Sequence, residues 1–222
     1  MRKTFTAKSL HDKHWTESQI ESNNLNPLPR TLIARTWVEK NRPQILLDIG
    51  CGTGVFAQLV NEIRPKIEIH GLDFSREALR KASQFYDLCW NINIDVEDVP
   101  MEDNKYDAVL CMEVLEHVYD VTHILREIYR LLKPTGKALI SVPNLAYWRY
   151  RLQLLRGVLP HPEIFNPEHI HAFVLKNIEK RLTDSSLHVN RCWGYGDRLK
   201  FFAKKFPQLF SSTLFVECYP KK

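Results

Sequence analysis

The chain lacks any apolar run approaching the ~18 residues that a membrane-spanning helix needs. Its N-terminus has basic side chains but no apolar stretch or small-residue cleavage site, so a secretory signal is not expected either. The five cysteines (Cys51, Cys89, Cys111, Cys192 and Cys218) are odd in number, scattered, and never form a C-x-x-C pair. That spacing argues against a disulfide framework or a zinc site, and it fits a reducing compartment, with cytoplasm the expected location. Repeats and low-complexity segments are absent as well. An apolar fraction of 44% and a charged fraction of 26% are those of an ordinary globular protein, which argues against disorder or a fibre. At 222 residues the chain fits one domain with a real core.

The net charge of +5 is unevenly distributed. Residues 95–120 hold nine acids and one lysine, whereas residues 145–222 hold thirteen Lys/Arg and six acids. A basic C-terminal part is compatible with an anionic substrate, a nucleic acid or a lipid surface, but without a concentrated patch it reads first as a solvated face.

Apolar runs alternate with amphipathic stretches. Strands are expected at 45–49, 67–72, 90–94, 106–111 and 137–142, and helices at 28–39, 55–63, 76–86, 124–132 and 174–185. Ser75 is a helix N-cap candidate, and Lys133-Pro134 ends a helix before Gly136 opens the fifth strand. Two last strands, 187–193 and 213–219, are expected as a hairpin-like pair closing the sheet edge. This pattern predicts an α/β fold: a Rossmann-like, seven-stranded, mostly parallel sheet with helices on both faces and a cap inserted after strand five. The expected organisation is a leader and helix (1–42), a core (43–144), the cap (145–173), and a C-terminal helix with the closing strands (174–222). In such sheets ligands bind beyond the carboxyl ends of the strands.

Four places there carry chemistry. Asp48-Ile49-Gly50-Cys51-Gly52-Thr53-Gly54 runs from a strand into a helix, and its glycines let backbone approach a ligand closely. The spacing is G-x-G-x-G rather than the dinucleotide-binding G-x-G-x-x-G. An acid before the glycines is a poor neighbour for a pyrophosphate and a good one for a cation. Asp73 closes strand two, nineteen residues after Gly54, where an acid can accept hydrogen bonds from ribose hydroxyls. Asp95 follows strand three and is placed to accept from an exocyclic amine on a base, with the Val96 N–H reading a ring nitrogen. Finally, Glu113 and His117 are four apart and would share one face of a helical turn.

These residues resemble class I S-adenosylmethionine-dependent methyltransferases. The glycine segment looks like motif I. Asp73, the 95–100 loop, Tyr106-Asp107-Ala108-Val109-Leu110-Cys111 and Leu131-Leu132-Lys133-Pro134-x-Gly136 match the later motifs in order. The resemblance implies S-adenosyl-L-methionine as cofactor. It assigns the methionine part to Asp48, Gly50, Cys51, Gly52 and Gly54, the ribose to Asp73, and the adenine to Phe74, Asp95 and Val96. The Cys111 carbonyl would meet the cofactor's ammonium. Cys111-Met112-Glu113-Val114-Leu115-Glu116-His117-Val118 is similar to the corresponding stretch of ubiquinone-pathway O-methyltransferases. Residues 143–157 are similar to methionine-biosynthesis-associated methyltransferase-like proteins.

As a helix, that last segment would place Trp148, Leu152, Leu155 and Leu159 on one stripe, which reads first as a cap packing on its domain. In Glu168-His169-Ile170-His171-Ala172-Phe173 the two imidazoles alternate, so one of them would face the site, and His161 adds a third nearby. A metal is not expected, because no carboxylate spacing completes a ligand set. The expected reaction is in-line transfer of a methyl group to a small-molecule oxygen or nitrogen acceptor, with His117 or His169 as general base and Glu113 beside them. Competing readings are a nucleic-acid or protein methyltransferase, for which no appended recognition domain is visible, and a non-catalytic partner protein that keeps the fold.

Overall fold

The computed structural model describes residues 28–64, 66–160, 168–195 and 200–222. The expected leader, His161 and the middle of the cap lie outside these residues. Two compact units divide the chain, Met1–Val99 and Pro100–Lys222. The strands form a seven-stranded sheet in the order β3-β2-β1-β4-β5-β7-β6.

In the first unit, helix α1 (Pro29–Asn41) starts on a proline whose fixed φ suits the first helical turn. It stops at Arg42, a left-handed residue whose N–H returns to the Val38 carbonyl. Strand β1 (Ile45–Ile49) is buried along its whole length, as a near-continuous apolar run inside a parallel sheet should be. Strand β2 (Glu68–Asp73) pairs with it in parallel, setting Asp48 opposite Gly71. Helix α2 (Val55–Asn61) follows the glycine loop, and helix α3 (Arg76–Ala82) is capped by Ser75, whose side chain accepts from the Ala78 N–H.

Strand β3 occupies Leu88–Asn91 and pairs with β2, two residues upstream of the expected 90–94. Local hydrogen bonding is the reason. The Asn93 side chain accepts from the Asp95 N–H, its carbonyl accepts from Val96 and Glu97, and the Glu97 carboxylate accepts from the Asn93 N–H. This closes a turn that competes with the ladder. Ile92 and Ile94 are still buried, so the apolar signal was real but belonged to a turn.

In the second unit, β4 (Tyr106–Met112) pairs in parallel with β5 (Leu132–Pro143). The register jumps from Tyr106↔Leu132 to Ala108↔Lys137, so residues 133–136 bulge. Helix α4 (Val121–Leu131) begins three residues earlier than expected, because the Asp120 side chain caps it through the His123 N–H. The closing pair, β6 (Leu187–Tyr195) and β7 (Thr213–Pro220), is antiparallel as expected. Strand β7 lies between β5 and β6, so β6 alone forms that edge. Helices α5 (Trp148–Leu155), α6 (Leu175–Asp184), α7 (Lys200–Lys205) and α8 (Pro207–Phe210) complete the described elements.

The cap stripe is a correction. Tyr147 and Tyr150 are the buried residues of this segment, packed against Leu145 and Trp148. Leu152, Leu155 and Leu159 are exposed, Leu155 by 83%. The two tyrosine rings meet edge to face, 5.2 Å between centroids, and supply the buried apolar area of this stretch. Asn144 anchors the start of the cap. It is fully buried; its side-chain amide donates to the Gln208 and Ser211 carbonyls and its side-chain oxygen accepts from the Ala146 N–H.

Gly54 carries a mutational prediction. Its φ is +87°, and a Cβ there would stand 2.9 Å from the Ala82 Cα and 3.0 Å from the Phe85 ring. The strain of a left-handed non-glycine residue and the clash add together, so Gly54→Ala is expected to cost about 2–3 kcal/mol in chemical denaturation. A loss below about 0.5 kcal/mol would contradict the close packing of this loop on α3.

Candidate cofactor loop and imidazole cluster

The first unit assembles the glycine loop from the ends of β1 and β2. Gly50, Gly52 and Gly54 all have positive φ (74°, 54° and 87°), the left-handed region where a Cβ is costly. The Gly50 and Cys51 N–H groups donate to the Leu72 carbonyl, which ties the loop to the end of β2. Asp73 braces it further: one carboxylate oxygen accepts from the Gly52 N–H at 2.8 Å and the other from the Ser75 N–H at 2.8 Å. Asp73 therefore shapes the loop as well as bordering it.

Asp48 is buried at the end of β1, and Tyr86 donates its phenol proton to Asp48 Oδ2 at 2.5 Å. Burial pushes the Asp48 carboxyl from an ordinary 3.8 up to about 7; the Tyr86 hydrogen bond opposes this and the Asp73 charge adds to it. Burial likewise raises the thiol of Cys51, with Asp48 and Asp73 contributing, so this cysteine stays protonated. Phe74 is half-buried after β2, where the Asn91 amide donates to its carbonyl. Asp95 is half-buried and Val96 exposed, both within the turn that follows β3, and the Val96 N–H is engaged with the Asn93 carbonyl at 3.0 Å.

The loop fits the cofactor that the motif implies. A buried carboxylate with a second acid nearby lowers the energy of a cation and raises that of a pyrophosphate. The three left-handed glycines leave the backbone bare on the approach.

In the second unit, Cys111 is buried in β4 opposite Ile140. Glu113 and His117 do not share a helical face, which corrects the expectation from their spacing. Glu113 takes φ +56° and leaves the strand, its N–H donating to the Ser141 carbonyl while its carboxylate accepts from the Ser141 hydroxyl at 2.8 Å. His117 lies beyond it in a turn and meets His169 instead. The two rings are 4.7 Å apart in an edge-to-face arrangement, and His117 Nδ1 is 3.2 Å from the Glu168 carbonyl.

The segment carrying His169 is held by the Glu116 carbonyl, which accepts from the Ile170 and His171 N–H groups. His171 turns away, its Nε2 reaching the Tyr119 carbonyl at 3.4 Å, so a single imidazole of the alternating pair joins His117. Glu116, only 1% exposed, completes the group: ligand-type atoms of Glu116, His117 and His169 lie within 4.8 Å of one another. The sequence offered no carboxylate spacing for these histidines because the contact spans more than fifty residues. Tyr86 in the first unit, which donates to Asp48, and Ser141 and Glu116 in the second, which meet Glu113 and the histidine pair, were not singled out by the motifs.

Residues 22–189 match the family model described as a methyltransferase domain. The chain is 32% identical over 170 residues to a ubiquinone biosynthesis O-methyltransferase of Xanthomonas oryzae pv. oryzae, covering 69% of this chain and 70% of that one. Among solved structures it resembles a SAM dependent methyltransferase from Archaeoglobus fulgidus, at 15% identity and a TM-score of 0.63 over 85% of this chain and 94% of that one. The [4+2]-cyclase SpnF is similar in fold too, at 16% identity and a TM-score of 0.62 over 84% and 81% of the two chains, so the fold alone does not set the reaction. The matched domain, the relative that shares it and the glycine loop agree, and the chain belongs to the class I S-adenosylmethionine-dependent methyltransferases.

Proposed function

We propose that this methyltransferase acts on a small-molecule acceptor through an oxygen or nitrogen atom, with a hydroxyl the acceptor that its residues suit best. The observation that carries this reading is the imidazole pair His117–His169 beside the buried Glu116. An imidazole oriented by a backbone carbonyl is suited to take the proton from a hydroxyl near neutral pH. The relatives in question are named O-methyltransferases of ubiquinone biosynthesis, which supports the same acceptor class.

When bound, S-adenosylmethionine supplies an electrophilic methyl group on a sulfonium. The residues of the first unit hold it in this reading. Asp48 provides counter-charge, the bare backbone of Gly50, Cys51, Gly52 and Gly54 allows close approach, and the Asp73 carboxylate accepts from ribose hydroxyls. Phe74 packs on the base and the Asp95 carboxylate accepts from its amine. In the second unit His117 or His169 accepts the acceptor's proton, and Glu113 is held in place by Ser141.

The nucleic-acid alternative draws on the basic C-terminal part. Two of the described cations there are tied locally, Arg191 to Glu217 and Lys180 to Asp184, which takes both out of a continuous phosphate-binding face. Free, scattered cysteines support a cytoplasmic setting.

A turnover screen with a labelled methyl donor tests the reading, across catechols, carboxylic acids, amines and tRNA, with Asp48→Ala as control. Turnover is expected on catechol-type hydroxyls, and it should collapse in the control. Methylation of tRNA with none of the small molecules modified would overturn it.

A further inference from the structure

Asp48 and Gly71 face each other across the β1/β2 ladder. Gly71 is where the Tyr86 ring rests: a Cβ there would stand 2.9 Å from Tyr86 Cδ1, 3.0 Å from Cε1 and 3.0 Å from Cys51 Sγ. From that seat the phenol hydroxyl reaches Asp48 Oδ2 at 2.5 Å, a length typical of hydrogen bonds to a charged acceptor. Both side chains are buried.

We propose that Tyr86 is the positioning residue for Asp48: seated on the bare backbone of Gly71, its hydroxyl fixes the carboxylate and keeps it ionised for the cationic end of the cofactor. This rests on the reading of Asp48 as a cofactor residue.

Opposed effects act on the Asp48 carboxyl. Desolvation penalises the carboxylate, and the nearby Asp73 penalises it further. The other ionisable groups that bear on it among the described residues are Tyr86, Cys51 and Cys89, acids whose own protons are held more tightly because Asp48 is near. Against these, the Tyr86 hydrogen bond favours the charged form. Tyr86 is itself held far above its ordinary range by burial and by Asp48, so it stays a donor at every working pH. Gly71 belongs to the same device, because any side chain there would displace the ring.

Tyr86→Phe keeps the ring and its seat and removes only the hydroxyl. Two measurements test the inference. Carbon-13 resonances of labelled aspartates follow the Asp48 carboxyl in the cofactor-free protein, and calorimetry follows S-adenosylmethionine affinity between pH 5.5 and 9. In Tyr86→Phe the carboxyl midpoint is expected to rise by about one pH unit. Affinity should fall about fivefold at pH 7 and return towards the wild-type value by pH 9.

Superimposable carboxyl titrations would overturn the inference. A shifted titration with unchanged affinity profiles, and an Asp48→Ala variant that still binds, would instead overturn the reading of Asp48 on which it rests. If Tyr86→Phe does not fold, the wild-type protein decides. The Cζ resonance of labelled Tyr86 must move at the pH where Asp48 titrates, and a flat Cζ trace overturns the coupling.

Discussion

Asp48→Asn is expected to make the cofactor-free protein more stable at pH 8 while weakening cofactor binding at least tenfold. The folded-state carboxyl is raised from 3.8 to about 7. A raised acid contributes stability that is fully present below its unfolded value, near pH 4, and is lost as pH rises through about 7. Above that, the wild-type chain carries a buried charge. Three pH units correspond to a cost of about 4 kcal/mol as an order of magnitude.

The amide is the same shape, carries no charge, and its oxygen still accepts from Tyr86. Even half of that relief would raise the melting temperature by roughly 4–8 °C in a chain of this size. The gain should shrink by more than half at pH 5 and vanish only below about pH 4, where the unfolded carboxyl is protonated too. Thermal melts of both proteins at pH 5 and pH 8 check the sign. A variant less stable than wild type at pH 8 would show that Asp48 is not strained by its burial. Such a trade between binding and stability is usual where a charged ligand would offset a buried charge.

Asp73→Ala should behave in the opposite way. Its carboxylate accepts from the Gly52 and Ser75 N–H groups in a buried setting. Alanine leaves both donors without that partner and releases the glycine loop, at a cost of about 3 kcal/mol before any cofactor is added. The melting temperature should fall by roughly 6–12 °C. Asp73→Asn should fail to rescue it fully, because the amide nitrogen would confront one of the two donors. Urea denaturation of the cofactor-free variants measures this. A residue that served the ribose alone would leave the cofactor-free stability unmoved, and that result would refute the bracing role. The two acids are hard to rank from sequence, yet the fold buries one as an acid disfavoured in its charged form and makes the other a strut.

Much of the cofactor side was legible beforehand because it is local. The strand, the three glycines and the helix behind them lie within seventeen consecutive residues, and each follows from backbone rules: an apolar run, left-handed turns that glycine adopts at least cost, then a helical face. Ser75 as a helix cap followed from the same kind of rule. Local signals failed where two local rules competed. Residues 90–94 alternate like a strand, but Asn93 and Glu97 close a turn there. Glu113 and His117 have helical spacing, but the chain turns through a left-handed residue at Glu113 and separates them.

By itself, then, the sequence determined the α/β class, the place of the glycine loop and the nature of the methyl donor. All of these depend on contacts between residues close along the chain. Only the tertiary structure decided that Tyr86 meets Asp48 across thirty-eight positions, that His169 joins His117 and Glu116, and that the cap buries its tyrosines and exposes its leucine stripe. Those pairings are set by which side chains the sheet and its loops bring into contact, and spacing along the chain carries no record of them.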